Sequence, residues 1–124
     1  MKKILVVDDD PDIRDAVATV LSRTYEVRQA GGKDEAQNAL RSFAPDLVIL
    51  DVMMESVSTG FDLAREMKKR GPLPKILMLT GVDKKTNIDF KAEAGNPDWL
   101  PVDDYLEKPV VPALLIEKVG ALLA

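Results

Sequence analysis

Residues Ile4 to Ile13 read ILVVDDDPDI, four apolar residues running straight into three aspartates and a proline. An apolar quartet without alternation suits a strand covered on both faces, as in a parallel sheet, rather than one with a wet side. The acids then fall at the carboxyl end of that strand. Pro11 suits the first position of a helix, because the N–H it lacks is one that a helix end leaves unpaired. The stretch therefore reads as strand, acidic turn and helix.

Two further quartets repeat the opening theme, Leu47-Val48-Ile49-Leu50 and Ile76-Leu77-Met78-Leu79. Helical spacing joins Ile13, Ala16, Val17, Val20 and Leu21, then Leu63, Ala64 and Met67, and finally Val111, Leu114, Leu115, Val119 and Leu122. A weaker strand at Tyr25 to Gln29, a helix near Asp34 to Ser42 and a short strand around Tyr105-Leu106 complete five strand–helix repeats. The expected fold is α/β, a doubly wound five-stranded parallel sheet with helices on both faces. The irregular stretch Ala94 to Asp104, AGNPDWLPVDD, holds two prolines and a glycine and precludes a continuous helix.

The 124 residues suit a single domain, 1–124, with no room for a second and hence no output domain in the chain. A formal net charge of −4 argues against a nucleic-acid groove or an anionic membrane surface. No cysteine and no histidine are present, so disulfides, thiolates, imidazole bases and the common zinc sites are excluded. The basic start, MKK, is followed by an apolar run only from Ile4 to Val7, shorter than the ~7–15 residues of a signal peptide core. No run reaches membrane-spanning length, and a cytoplasmic protein is expected.

In an open α/β sheet, ligands bind beyond the carboxyl ends of the strands. The first strand leads into Asp8-Asp9-Asp10, the third into Asp51, the fourth into Thr80 and the fifth toward Lys108. Asp10, just before Pro11, is read as a helix N-cap. Asp8, Asp9 and Asp51 are like charges that raise one another's pKa unless a cation compensates. Oxygen-only donors favour a hard ion, so Mg²⁺ is expected, with Mn²⁺ able to substitute. Thr80 adds a hydroxyl and Lys108 an ammonium, which together with the metal make a pocket for a phosphoryl group on Asp51. Singly, each residue has a plain structural explanation as a cap or a solvated loop charge; jointly, on matching strand ends, they point to one site. Gly31-Gly32-Lys33 lacks the flanking residues of a phosphate loop and is read as a turn into the second helix.

Taken in order, ILVVDDDPDI, PDLVILDVMM, ILMLTG and DDYLEKPV make the chain resemble the receiver domains of two-component response regulators (CheY-like) over nearly its whole length. That resemblance implies a flavodoxin-like fold with strand order 2-1-3-4-5. It implies that Asp51 takes a phosphoryl group from the phosphohistidine of a sensor histidine kinase or phosphotransfer domain. Asp9, Asp51 and the backbone carbonyl of Met53 would hold Mg²⁺ directly, Asp8 would act mainly through water, and Lys108 would neutralise a phosphoryl oxygen. Thr80 and Tyr105 would be the switch residues, moving the face built from the fourth helix, fifth strand and fifth helix toward a downstream partner. A kinase helix would dock along the first helix and the Pro109-Val110 loop. The chain would be a switch that catalyses only its own phosphorylation and slow dephosphorylation.

The sequence departs from the family in four respects. The loop after Asp51, DVMMESVSTG, has Glu55 where proline is usual and is slightly longer before Gly60. Met53 and Val82 are apolar at the two positions whose polarity tunes hydrolysis, which predicts a long-lived phosphorylated form. The span from Thr80 to Lys108 is longer than usual, and Trp99 within it is either a cover for apolar surface or a private partner anchor. The last helix lacks the arginines that DNA-binding relatives use for dimer salt bridges, so a monomer, or a dimer of another kind, is expected. A phosphatase of the haloacid dehalogenase type is disfavoured because Met53 stands where its second aspartate would be. A phosphorylation-independent binding module is disfavoured by the retained acids and lysine, and a flavin protein by the aspartates where FMN phosphate would sit.

Overall fold

Apolar runs that cannot show a wet face must be covered twice, and the computed structural model shows that arrangement. It describes residues 1–51, 57–69, 74–80 and 102–124. In chain order the elements are β1 (Lys3–Val7), α1 (Pro11–Leu21), β2 (Glu26–Ala30), α2 (Lys33–Phe43), β3 (Leu47–Asp51), α3 (Val57–Lys69), β4 (Lys75–Thr80), β5 (Asp104–Glu107) and a C-terminal helix (Pro112–Leu123). All four strand pairings are parallel and the order is β2-β1-β3-β4-β5. This is the flavodoxin-like sheet expected from the sequence. The three apolar quartets are the central strands, and every residue of β3 is buried. The edge strand β2 carries Glu26, Arg28 and Gln29 exposed, charges that discourage pairing with another chain.

Alternation along the central strands divides the core. Ile4, Val6, Leu47, Ile49, Leu77 and Leu79 face Val17 and Leu21 of α1 and Leu115 and Val119 of the C-terminal helix. Leu5, Val7, Val48, Leu50, Ile76 and Met78 face Ala36, Ala39 and Leu40 of α2 and Leu63, Ala64 and Met67 of α3. Helices therefore cover both faces, two on each among the described residues. The expected buried stripe of the C-terminal helix is narrower than its period suggested: Leu115 and Val119 are buried, whereas Val111 and Leu114 are exposed. A helix apolar on nearly every side gives no polar face from which the inward stripe can be read.

Two aspartates at the β5 entrance hold this frame. Asp103 Oδ2 accepts from Lys68 Nζ and from the Ile76 backbone N–H, each at 2.7 Å, tying α3 to β4. Asp104 accepts Lys118 Nζ at 3.2 Å on both oxygens, tying β5 to the C-terminal helix. No helix among the described residues is long and apolar enough to cross a membrane.

Candidate functional site

Register brings the acids together. Val7 is level with Leu50 and Leu50 with Met78, so Asp8 and Asp51 follow at matching heights on adjacent strands. Alternation continues the row of Ile4 and Val6 into Asp8, and the row of Leu47 and Ile49 into Asp51, on the face covered by α1 and the C-terminal helix. Asp8 is 0% and Asp51 3% exposed, while Asp9 is exposed. One carboxylate oxygen from each of Asp8, Asp9 and Asp51 lies within 4.8 Å of the others.

Lys108 reaches this cluster because the ladder runs past the end of β5. Its N–H donates to the Thr80 carbonyl at 2.7 Å, beyond the Thr80–Glu107 pair. The ammonium then lies 3.3 Å from Asp51 Oδ1 and 3.6 Å from Asp8 Oδ2. The Lys108–Pro109 peptide is cis.

Asp8 Oδ1 accepts the Asp10 N–H at 2.9 Å, but Asp8 Oδ2 is fully buried and accepts no hydrogen bond. Burial pushes the Asp8 carboxyl from 3.8 up to about 6; the Asp10 N–H and Lys108 pull it down, and the Asp51 charge pushes it further up. A protonated Asp8 can also donate to Asp51, whereas two ionised carboxylates have no proton to share.

Among the described residues, three carboxylates gather around one ammonium, an excess of negative charge that suits a divalent cation. The ligand atoms are hard oxygens and one of them, Asp8 Oδ2, lacks a hydrogen-bond donor, so the residues fit Mg²⁺. Asp10 takes no part in the cluster's charge balance: it caps α1, its side chain accepting the Asp12 N–H at 2.9 Å with Pro11 at the first helical position. The turn reading of Gly31 and Gly32 also stands, with α2 starting at Lys33.

Thr80 is 3% exposed at the end of β4 and alternates with Ile76 and Met78, on the face opposite Asp8 and Asp51. Tyr105 is level with Met78 and packs partly buried on that same face. Lys118 Nζ sits 5.5 Å from its ring centroid. Met53, Glu55, Val82 and Trp99 lie outside the described residues, as do the expected metal contact of the Met53 carbonyl and the rebuilt segment before β5. An apolar groove of about 300 Å³ opens beside Lys108, between α1 and the C-terminal helix, lined by Ile13, Ala16, Val20, Pro109, Val110 and Leu115.

One residue of this region escaped the sequence reading. Arg14 Nη1 donates to the Asp8 backbone carbonyl at 2.9 Å and its Nε to Gln29 Oε1 at 3.1 Å. A basic residue in the first turns of the helix after an acidic strand end is the only linear signal for it, and that signal does not show which atom the side chain reaches.

A parallel sheet of this order with buried acids and a lysine at its carboxyl edge defines the class: the chain belongs to the response regulator receiver domain family, which matches residues 4–120. It is 33% identical over 123 residues to the DNA-binding response regulator MtrA of Mycolicibacterium smegmatis, covering 98% of this chain and 50% of that protein. It is 37% identical over 127 residues to the probable transcriptional regulator ycf27 of Cyanophora paradoxa, covering 98% and 48%. Among solved structures it is similar to a CheY-like response regulator receiver domain protein from Methanospirillum hungatei, with TM-score 0.82, 30% identity and coverage of 99% and 94%. The chain spans about half the length of the curated relatives it matches. It is a signalling switch of two-component systems by family.

These relatives correct one expectation. The acidic balance argues against nucleic acid as a partner, yet proteins that match 98% of this chain are named as a DNA-binding response regulator and a probable transcriptional regulator. A net charge of −4 belongs to these 124 residues. It carries no information about the other half of the relatives' length.

Proposed function

We propose that residues 1–124 act as one receiver domain in which Asp51 is the phosphoacceptor. A carboxylate oxygen of Asp51 attacks phosphorus, the P–N bond of a kinase or phosphotransfer phosphohistidine breaks, and the imidazole leaves with the bond's electron pair to take up a proton. The product is an acyl phosphate on Asp51. The observation that carries this reading is Asp51 itself, a nearly buried carboxylate with an ammonium at 3.3 Å and two further acids beside it.

Asp9 and Asp51 would hold Mg²⁺ directly and Asp8 mainly through water, with Mn²⁺ as a substitute. Mg²⁺, when bound, supplies neutralisation of charge on the phosphoryl oxygens. Lys108 is placed to exchange its carboxylate partners for a phosphoryl oxygen, stabilising charge that spreads there during transfer. Burial of Asp51 excludes competing water from its carboxylate. Thr80, buried at the end of β4, would turn toward the product to donate its hydroxyl, and Tyr105, on the same face of the sheet as Thr80, would respond to it. Contacts made only in the phosphorylated state shift the balance of conformations at the β5 edge, where Tyr105 meets Lys118 of the C-terminal helix.

The apolar groove beside Lys108 is where a donor helix sits, close to the acceptor. By likeness to the named relatives, the output of the switch is regulation at DNA through a protein about twice this length. Apolar Met53 and Val82 leave a hydrolytic water without a side-chain partner, so the acyl phosphate is long-lived. Incubation with acetyl phosphate and Mg²⁺, read by intact-protein mass, is expected to add one phosphoryl group to the wild type and none to Asp51→Asn or in excess chelator. A folded wild type that takes no group under these conditions would point instead to a phosphorylation-independent binding module.

A further inference from the structure

Asp9 is the exposed member of the acidic cluster, and a carboxylate on a turn is only as well placed as the two peptide planes that flank it. Both planes are held. The plane after Asp9 is fixed by the Asp10 N–H, which donates to Asp8 Oδ1 at 2.9 Å. The plane before it carries the Asp8 carbonyl, which accepts Arg14 Nη1 at 2.9 Å. The Asp8 N–H is itself tied to the Ala30 carbonyl at 3.1 Å, so the backbone enters the turn from a fixed point.

Arg14 is in turn held from the far side. Its Nε donates to Gln29 on the edge strand at 3.1 Å, so the guanidinium spans α1, the acidic turn and β2. Room for it depends on Gly31: a Cβ there would come within 2.8 Å of Arg14 Nη1. The backbone at Gly31 lies outside the left-handed region, so what glycine provides here is clearance for the guanidinium.

We propose that Arg14 is a positioning residue for the metal-binding acids, clamping the Asp8–Asp9 peptide so that the Asp9 carboxylate is presented beside Asp8 and Asp51. This rests on the reading of those three acids as a Mg²⁺ site. Arg14 touches neither the metal nor the phosphoryl group. It acts through the backbone, as outer partners of metal ligands commonly do, and loss of such partners weakens metal binding by about 10-fold or more.

The sign of the effect separates this role from plain electrostatics. Arg14 is a cation near a cation site, so removing its charge would by itself tighten Mg²⁺ binding. Loss of the clamp weakens it. Gly31→Ala makes the distinction cleaner, since it displaces the guanidinium while keeping its charge and asks only a flexible side chain to move.

The test is calorimetric titration of the metal-free protein with Mg²⁺, for wild type, Arg14→Met and Gly31→Ala, with circular dichroism to verify folding. The expected result is saturable binding by the wild type, a dissociation constant raised about 10-fold in Arg14→Met and by a smaller factor in Gly31→Ala. Unchanged or tighter binding in the folded variants, with the wild type binding Mg²⁺, would overturn the positioning role and leave the metal site intact. Absence of Mg²⁺ binding by the folded wild type would overturn both. If Arg14→Met does not fold, Gly31→Ala decides alone.

Discussion

Asp8 places a carboxylate where water cannot reach it and gives one of its oxygens no donor. The cost has a definite sign. In the unfolded chain this group titrates near 3.8, and in the folded protein near 6. The folded state therefore binds the proton more tightly across that window, and metal-free stability falls as pH rises from about 4 to about 6. Above that window the full penalty is present, on the order of 3 kcal/mol. Asp8→Asn is expected to keep the Asp10 contact while removing the charge, raising the melting temperature of the metal-free protein at pH 7 by about 5 °C or more. The same variant loses the stabilisation that the wild type gains from Mg²⁺. Differential scanning calorimetry with and without Mg²⁺ checks both statements; an Asp8→Asn melting temperature below the wild type's would contradict the penalty. The positions of Asp8, Asp51 and Thr80 were legible in the sequence because the apolar quartets mark three strand ends, and that of Lys108 because a short strand was read around Tyr105-Leu106. Arg14 was not, because its work depends on Gln29 and Gly31, which only the β1–β2 pairing brings beside it.

At the scale of the element, α1 shows how a charged turn is divided between tasks. Three successive aspartates have three environments: Asp8 buried, Asp9 exposed within the acidic cluster, and Asp10 turned to the amides of the helix. Asp10→Ala is expected to destabilise the protein by about 1 kcal/mol, with Asp10→Ser recovering most of it, since a serine hydroxyl also caps. Urea unfolding measures this; equal losses in both variants would show that Asp10 contributes through its charge instead. The C-terminal helix marks the opposite case. Its period was visible, but with only Glu117 and Lys118 charged between Pro112 and Leu123, the inward stripe was not. Packing against α1 selects Leu115 and Val119, and Lys118 is drawn to Asp104 and the Tyr105 ring, contacts that no linear spacing specifies.

For the whole molecule, parallel register turns scattered single residues into one site. β1 and β3 deliver their acids at the same height, and the Thr80–Lys108 ladder bond carries the lysine across from the far edge. On the proposed reading, Mg²⁺ would draw on the ionised form of Asp8, so its stabilisation of the fold is expected to be larger at pH 7 than at pH 5, as melting curves at the two pH values will show. Equal stabilisation at both would remove Asp8 from the metal site. The central claim is that Asp51 carries the phosphoryl group, and acyl phosphates are reduced by borohydride to the corresponding alcohol. The direct measurement is to treat the protein with acetyl phosphate and Mg²⁺, reduce with borohydride, and map the peptides by mass spectrometry. Homoserine at position 51 and nowhere else, absent when Mg²⁺ is withheld, is the result predicted. Homoserine at another aspartate, or none in a folded protein, would contradict the account.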